Sequence, residues 1–372
     1  MIYKADYQQK IQDLLNDKCT YKAIRIDPTQ QLLRKNNNLV NDIYKNKSID
    51  FKLKQYLTCT AATAPRLYGL PKIHKEDTPL RPISSSLNVP CFKLAKYVGQ
   101  TLKNIVSVNF NVKNSFQLKE NIKNITVDDE EMLISLDVVS LFTNIPIHLA
   151  INTIMKQWSS LEKHTTITKK QFLTILEFCL RENNYFVYDG TFYQQVYGMP
   201  MGNPLSPTIA DIVLDKIIDD SIIELRNKDI CTKYITKYVD DIFAIVKTKD
   251  VEEILKIFNR QHTKVQFTLE KEIYNKIAFL DVEIHKSENK LKTNWYTKSV
   301  ASSRMINFNS NHPWAQKKNT AINFITKVYS LSDPEFIEDN RAKIKKHSLQ
   351  KRISQRSNRD TNNNSDKENE MQ

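Results

Sequence analysis

An α+β fold built around an antiparallel sheet is predicted by three local patterns in this 372-residue sequence. Two apolar runs enclose the adjacent acids Asp240 and Asp241, which indicates a strand, a tight turn and a returning strand. The stretch 185–193 has Asp-Gly at its centre, a pair that suits a type I′ hairpin turn. A long helix is predicted at 206–226, with Ser206 as its N-cap and proline at the first helical position.

The other elements follow from composition along the chain. Residues 1–60 have polar helical patterns with broken periodicity, and five prolines in 61–90 favour extended segments joined by turns. The last residues, 349–372, are nearly devoid of strongly apolar side chains, so we expect a disordered tail. Further helices are predicted at 91–106, 146–158, 168–182, 251–260 and 313–346, and further strands at 132–137, 267–272 and 277–285.

Charge and cysteine usage limit the kinds of protein to which this chain can belong. There are 55 Lys and Arg against 42 Asp and Glu, a net charge of +13, which favours a polyanionic partner such as nucleic acid. A merely soluble basic protein is the alternative. Five widely spread cysteines without metal-ligand spacing indicate reduced thiols, and the polar N-terminus is not typical of a signal peptide. With no apolar run long enough to cross a bilayer, the chain is expected to be soluble and intracellular, with no membrane partner.

Acidic residues end or cap two predicted strands about a hundred residues apart. Asp137 ends a buried strand, and Asp240 lies at the tip of the predicted hairpin beside Asp241. Phosphoryl transfer uses acids from separate elements that converge on two metal ions roughly 3.5–4 Å apart. We therefore expect Asp137, Asp240 and Asp241 to be catalytic, with Val138 added to the same metal-binding set. An ordinary Asp-rich turn is the alternative reading of each position.

The stretches that follow these acids predict a nucleotide site. Phe142 suits a wall against the 2′ position of a sugar, since a bulky ring there excludes a ribose hydroxyl. An ordinary core phenylalanine is the alternative. The stretch 198–207 is rich in Gly and Pro, and such a loop lets a flat base pair approach the backbone. Met201 and Gly202 are its predicted binding residues, although a plain loop-to-helix junction remains possible at this point.

Basic residues in the proline-rich segment predict a clamp for a triphosphate. Lys72, Lys75 and Arg81 have few acidic neighbours, and Lys and Arg are the natural partners of several phosphate charges. A solvated basic loop is the alternative.

Six motifs in a fixed order add a family resemblance to these patterns. They are RLYGLPKIHK with PLRPISS, SLDVVSLFTNIP, GMPMGNPLSP, YVDD, FLDVEIH and SRMINFNSNHP. Their order and spacing resemble those of the motifs in a reverse transcriptase. Their amino-acid sequences resemble those of Penelope-like retroelements, which are relatives of telomerase. The resemblance covers about residues 60–345.

The resemblance implies a right-hand polymerase fold with fingers, an antiparallel-sheet palm and a helical thumb. It matches Asp137, Asp240 and Asp241 to the catalytic acids, Phe142 to the sugar gate and Arg81 to the fingers arginine, with Lys72 a further match. The implied boundaries are an N-terminal helical extension at 1–60, fingers at 61–131, a palm at 132–290 with a fingers insertion around 146–195, a thumb at 291–348 and the tail at 349–372.

The implied reaction is template-directed DNA synthesis in a retrotransposon. Two Mg²⁺ ions, or Mn²⁺ in their place, would serve as cofactors, and the partners would be an RNA template, a DNA primer and dNTPs. Family biology implies a nuclear location; the sequence carries no signal for oligomeric state.

Three departures from the family pattern are expected to matter. Met201 stands where many reverse transcriptases have Gln, although Met resembles the usual residue of the Penelope-like family, and Thr-Lys-Ser-Val follows Trp295-Tyr296 where the family more often has Arg-Lys-Pro-Thr. No cysteine follows Cys231, so the GIY-YIG nuclease of the family is expected to be absent and the chain to be a fragment of a longer product. A catalytically inert remnant that binds nucleic acid, and an RNA-synthesising polymerase, are the rival interpretations.

Overall fold

The computed structural model describes residues 3–73, 76–298, 306–307 and 309–345. Lys75 and the predicted disordered tail at 349–372 lie outside the described residues. The chain divides into two compact units, of which the first comprises residues 1–111 and 136–270 and the second residues 112–135 and 271–372. The boundary therefore falls inside one strand of the central sheet, after Ser135.

The first unit contains most of the helices and the sheet that carries the acids. Its elements in chain order are α1 Lys4–Leu15, β1 Tyr21–Ile24, α2 Thr29–Lys45, α3 Phe51–Leu57, β2 Leu67–Pro71, β3 Leu80–Ser84, α4 Phe92–Leu102, the last part of β4 (Glu131–Val138), α6 Leu141–Asn144, α7 Ile147–Lys156, α8 Trp158–Leu161, α9 Lys169–Glu177, a π-helical turn Phe178–Glu182, β5 Tyr185–Tyr188, β6 Thr191–Gln195, α10 Ser206–Asn227, β7 Thr232–Tyr238, β8 Asp241–Lys247, α11 Val251–Arg260 and β9 Phe267–Lys271.

The second unit begins with α5 Ser115–Ile122 and the first residues of β4. It continues with β10 Lys276–Phe279, β11 Val282–Ser287, β12 Lys290–Trp295, α12 Trp314–Leu331, a 3-10 turn Pro334–Phe336 and a helix at 337–345. The three strands β10, β11 and β12 form an antiparallel meander. Trp295 packs edge-on against Phe324, with ring centroids 5.4 Å apart, so aromatic packing joins β12 to α12.

The sheet that carries the acids has four strands in the order β7, β8, β4, β9. Its central strands are almost fully buried, and their near-continuous apolar runs suit strands covered on both faces. β7 and β8 form an antiparallel hairpin in which Tyr238 pairs with Asp241, so Val239 and Asp240 form the turn. Val239 has a φ of 58°, an unusual left-handed conformation for a β-branched residue.

The N-terminal region is not wholly helical, in contrast to the expectation for residues 1–60. β1 pairs antiparallel with β6 and completes a three-stranded sheet whose other hairpin partner is β5. The β5–β6 hairpin itself forms at the predicted Asp-Gly turn, where Asp189 and Gly190 both have positive φ, as a type I′ turn requires. An apolar cluster that includes Ile11, Leu15 and Phe186 holds the N-terminal segment against this sheet.

The start of the long helix differs by one position from the prediction. Ser206 is the first residue of α10 and Leu205 is the N-cap, with proline at the second helical position. The Ser206 hydroxyl donates to the Pro200 carbonyl at 2.7 Å, so it braces the preceding loop instead of capping the helix. In the part of the chain that the structure describes, each helix is too short or too polar to cross a lipid bilayer.

Candidate functional site

The two acidic motifs meet at one end of the four-stranded sheet. The backbone amide of Val138 in β4 donates to the carbonyl oxygen of Asp240 at 3.3 Å. Asp137 precedes Val138 and is held from the other side by β9, where the Thr268 hydroxyl donates to its carbonyl at 3.3 Å. Asp137, Asp240 and Asp241 are all half-buried. Residues about a hundred positions apart in sequence are thus adjacent in the fold.

The chemistry of this group of residues fits Mg²⁺. Carboxylate and carbonyl oxygens are the ligands that hard divalent cations prefer, and the Val138 carbonyl can supply an oxygen that its apolar side chain cannot. Among the described residues, no three His, Cys, Asp or Glu side chains already converge in a metal-ligand arrangement. The sheet brings the backbones of the predicted ligands together.

The segment after Asp137 is locked to the Gly/Pro loop. Ser140 has a φ of 50°, which turns the chain sharply out of the strand and into α6. Phe142 lies in this short helix, half-buried, and its carbonyl accepts a hydrogen bond of 2.7 Å from the Met199 amide. The predicted sugar gate and the predicted base-pair loop are therefore neighbours through their main chains.

Two glycines explain why the loop lies so close to its neighbours. Gly198 has a φ of 73°, and a Cβ atom there would overlap the backbone of Thr143, next to Phe142. Gly202 has a φ of 122°, and its Cβ would overlap the carbonyl of Ser84. Both positions combine a backbone conformation that other residues rarely adopt with a contact that leaves no room for a side chain.

Buried polar contacts keep the loop rigid. The Ser84 amide donates to the Met201 carbonyl at 2.9 Å, which ties the loop to the end of β3. Asn203 is buried; its side chain accepts from the Leu205 amide at 2.9 Å and donates to the Cys179 carbonyl at 3.2 Å. The loop is therefore held by main-chain and side-chain hydrogen bonds before α10 begins.

The β2–β3 hairpin carries the predicted phosphate clamp. Leu70 pairs with Arg81, and the Lys72 amide donates to the Pro79 carbonyl at 2.9 Å, so the ladder continues one step beyond β2. Alternation along antiparallel strands places Lys72 and Arg81 on the same face of this hairpin. Arg81 is exposed and Lys72 half-buried. Ser84, three residues after Arg81, links the hairpin to the Gly/Pro loop.

A cavity of about 530 Å³ opens next to the segment that follows Asp137. Ser140 and Thr143 line one side, and Pro82 of β3 and Lys264 line others. Residues 17 and 19–21 of the N-terminal segment complete the wall. This N-terminal contribution could not be predicted from the sequence, because it depends on the long-range pairing of β1 with β6.

A buried charged side chain on β7 was not predicted from the sequence. Lys237, in β7, is fully buried and lies beside Asp211 and Asp215 of α10. Burial raises the pKa of Asp215 to about 6, although Lys237 and the amide of Ser107 lower it. A lysine three residues before an aspartate in a turn would ordinarily be expected to be solvent-exposed.

Two family models match parts of this chain. Residues 73–298 match the family model described as reverse transcriptase (RNA-dependent DNA polymerase). Residues 304–352 match a model described as animal helix-turn-helix domain, and the described part of that range contains α12, a turn and the helix at 337–345. Curated proteins gave no significant match.

Two solved telomerases share the fold. The structure of telomerase from Candida albicans with a TWJ fragment of telomeric RNA has a TM-score of 0.51 and 11% identity, covering 79% of this chain and 53% of that one. Apo telomerase from Candida tropicalis has a TM-score of 0.50 and 12% identity, covering 78% and 57%. This chain therefore spans little more than half the length of either. The likeness confirms the predicted α+β right-hand polymerase fold.

Proposed function

Because this chain belongs to the reverse transcriptase family, we propose that it is the RNA-directed DNA polymerase of a Penelope-like retrotransposon. The observation that carries the proposal is the hydrogen bond from the Val138 amide to the Asp240 carbonyl. It sets the two acidic motifs side by side within the matched range. The amino-acid sequences of the motifs support the Penelope-like assignment. The nuclear location is proposed on the same resemblance.

We assign the metal-binding role to Asp137, Asp240 and Asp241 and to the carbonyl of Val138. Two Mg²⁺ ions bound there would activate the 3′-hydroxyl of the primer and neutralise the charge on the leaving pyrophosphate. The work of the protein is to hold the reacting groups in line, because phosphoryl transfer depends mainly on positioning and electrostatics. Asp137 and Asp241 lie on the strands β4 and β8, and Asp240 lies in the tight turn that precedes β8; sites on regular elements are more firmly fixed than sites on long loops.

The remaining site residues would select and orient the nucleotide. Arg81 and Lys72 share the exposed face of the β2–β3 hairpin and would bind the phosphates of a dNTP. Phe142 would exclude a ribose 2′-hydroxyl, with its backbone fixed by Met199. Met201 and Gly202 would frame the incoming base, since the exposed Gly202 lets a flat group approach the main chain.

The template and primer are the proposed macromolecular partners. The net charge of +13 suits a polyanion, and α12 presents exposed basic residues such as Lys318. The match of this region to a helix-turn-helix model supports assigning it to the grip on a duplex. The backbone of a primer–template duplex would then be held by cations of the second unit.

Primer extension tests the proposal directly. A labelled DNA primer is annealed to an RNA template or to a DNA template of the same sequence, and each is incubated with dNTPs or rNTPs and Mg²⁺. We expect extension on RNA with dNTPs, and none by the Asp137→Asn variant. Extension with rNTPs in preference to dNTPs would identify an RNA-synthesising polymerase instead. Primer–template binding without extension under any condition, with Mn²⁺ included, would identify an inert remnant.

A further inference from the structure

Lys237 is a charged residue in the core, three positions before Asp240. Its side chain is 0% exposed, and its ammonium lies 2.9 Å from Asp211 Oδ1, where it donates a hydrogen bond. Asp215 Oδ1 lies 3.3 Å away, an ionic contact without hydrogen-bond geometry. Asp211 and Asp215 are one turn apart on α10, so both face β7 from the same side of that helix.

Such a cluster is costly in free energy. Moving an ammonium out of water carries a penalty that its partners recover only with good geometry, and well-packed apolar residues of similar volume are often at least as stable. The hydrogen bond from Lys237 to Asp211 is a directional contact between β7 and α10 that an apolar side chain would lack.

The same point of β7 is fixed by its main chain. The Lys237 amide donates to the Phe110 carbonyl at 2.7 Å, and the Thr236 hydroxyl donates to the same oxygen at 2.7 Å. Asp215 in turn accepts a hydrogen bond of 3.0 Å from the Ser107 amide. The segment 107–111 therefore covers the outer edge of β7 and is itself held by the cluster.

We propose that the Lys237–Asp211–Asp215 cluster positions the catalytic turn, so that Lys237 is a positioning residue for nucleotide addition. This inference rests on the proposed polymerase function. Lys237 pairs with Ile242, and the next pair along the ladder, Tyr238 with Asp241, closes the turn that contains Asp240. A displacement of Lys237 is transmitted through one pair to both acids. Only two residues separate Lys237 from Asp240 in the chain, so the cluster lies close to the turn.

Substitution of Lys237 by Met tests the inference, because Met keeps the volume and removes the charge. We expect kcat for primer extension to fall between about tenfold and a hundredfold, as small misplacements of catalytic groups do. KM for dNTP should stay near the wild-type value, since binding contacts are retained. Amide hydrogen exchange of a peptide spanning 232–247 should accelerate while exchange in α7 and α9 stays unchanged. The matched control is Lys247→Met, at the exposed far end of β8.

Exchange measured on the free protein tests the effect of the cluster on the hairpin apart from the proposed function. If the wild type does not extend primers, the polymerase proposal fails and with it the role of Lys237 in nucleotide addition; faster exchange at 232–247 in Lys237→Met would then show only that the cluster orders this hairpin. Wild-type kcat and unchanged exchange in this variant would overturn the inference, as would a loss explained entirely by a smaller folded fraction. Should Lys237→Met fail to fold, Asp211→Asn removes the hydrogen-bonded partner at a position that is a third exposed, and the same two readouts apply.

Discussion

Gly202 and the carbonyl group of Ser84 are in direct backbone contact, and no side chain fits between them. Gly202 belongs to the loop that precedes α10, and Ser84 ends the strand that carries Arg81. The amide of Ser84 also donates to the carbonyl of Met201. The geometry of the nucleotide site therefore depends on two main chains packed together, which accounts for the use of glycine in a chain that has five in total.

Replacing Gly202 by Ala should abolish primer extension and lower the melting temperature. The new Cβ would have to displace the backbone of Ser84, and with it Arg81. Gly190→Ala is the matched control, because Gly190 also has a positive φ of 76° but a Cβ there meets nothing within 4 Å. Its cost should be limited to about 1–2 kcal/mol of backbone strain. Equal effects of the two substitutions on extension would refute the close-contact argument.

Replacing Asp240 by Asn should stop extension while primer–template binding is nearly preserved. The change keeps the shape of the side chain and removes one charge from the metal site. Losing one metal ligand should cost several kcal/mol of transition-state stabilisation, that is at least about a thousandfold in rate. Asp129→Asn, at an exposed position, controls for loss of a carboxylate. Near-normal extension by the Asp240 variant would remove this residue from the catalytic set.

Local patterns were sufficient to predict the elements that hold the acids. The hairpin of β7 and β8 forms where the apolar runs enclose Asp240, and α11 spans the predicted 251–260. Turn chemistry and periodicity act over a few residues, so a single sequence displays them. The convergence of Asp137 with Asp240 came from chemistry and family resemblance, not from any local pattern.

The features that the sequence did not predict depend on distant partners. β1 becomes a strand because β6, about 170 residues later, offers it a ladder. Lys237 is buried because two carboxylates of α10 lie next to its ammonium group. Ser206 is predicted to cap α10, but its hydroxyl donates a hydrogen bond to the Pro200 carbonyl instead. Each outcome depends on tertiary contacts that propensity does not encode.

Replacing Phe142 by Val or Ala should raise ribonucleotide incorporation relative to deoxyribonucleotide incorporation. The half-buried ring is expected to fill the space of a 2′-hydroxyl, and its backbone remains held by Met199 after substitution. The readout is the ratio of kcat/KM for an rNTP to that for the matching dNTP, because discrimination occurs in the transition state. Phe51→Ala, which removes an exposed ring from α3, should leave the ratio unchanged. An unaltered ratio in both Phe142 variants would place the gate elsewhere.

Replacing Lys318 by Ala should weaken primer–template binding and flatten its salt dependence. Lys318 is exposed on α12, whereas Lys317 is half-buried and donates to the Ser310 carbonyl at 2.6 Å. Each phosphate contact contributes a slope of about −0.9 on a log–log plot of affinity against salt. We expect a loss of about one unit for Lys318→Ala and less for Lys317→Ala. Lys123→Ala, an exposed lysine outside α12, is the control. An unchanged slope for Lys318→Ala would exclude this face from the grip.

The pH dependence of stability should reveal the buried carboxyl of Asp215. Its pKa is raised from 3.8 to about 6, chiefly by burial, while Lys237 opposes the shift and Asp211 adds to it. The folded state therefore binds more protons than the unfolded state between these values. Stability from this group is fully present below pH 3.8 and is lost as the pH rises to about 6. The loss should amount to roughly 3 kcal/mol, at 1.36 kcal/mol per pKa unit.

Denaturant unfolding of the wild type and Asp215→Asn between pH 4.5 and 7.5 measures this contribution. The free energy of unfolding of the variant, relative to the wild type, should increase as the pH rises toward about 6 and then level off. Asn cannot ionise, so the variant escapes the cost of a buried charge at high pH. The variant also weakens the contact with Lys237, which shifts the whole difference curve without changing its slope. A flat difference across this range would show that Asp215 titrates alike in the folded and unfolded chains.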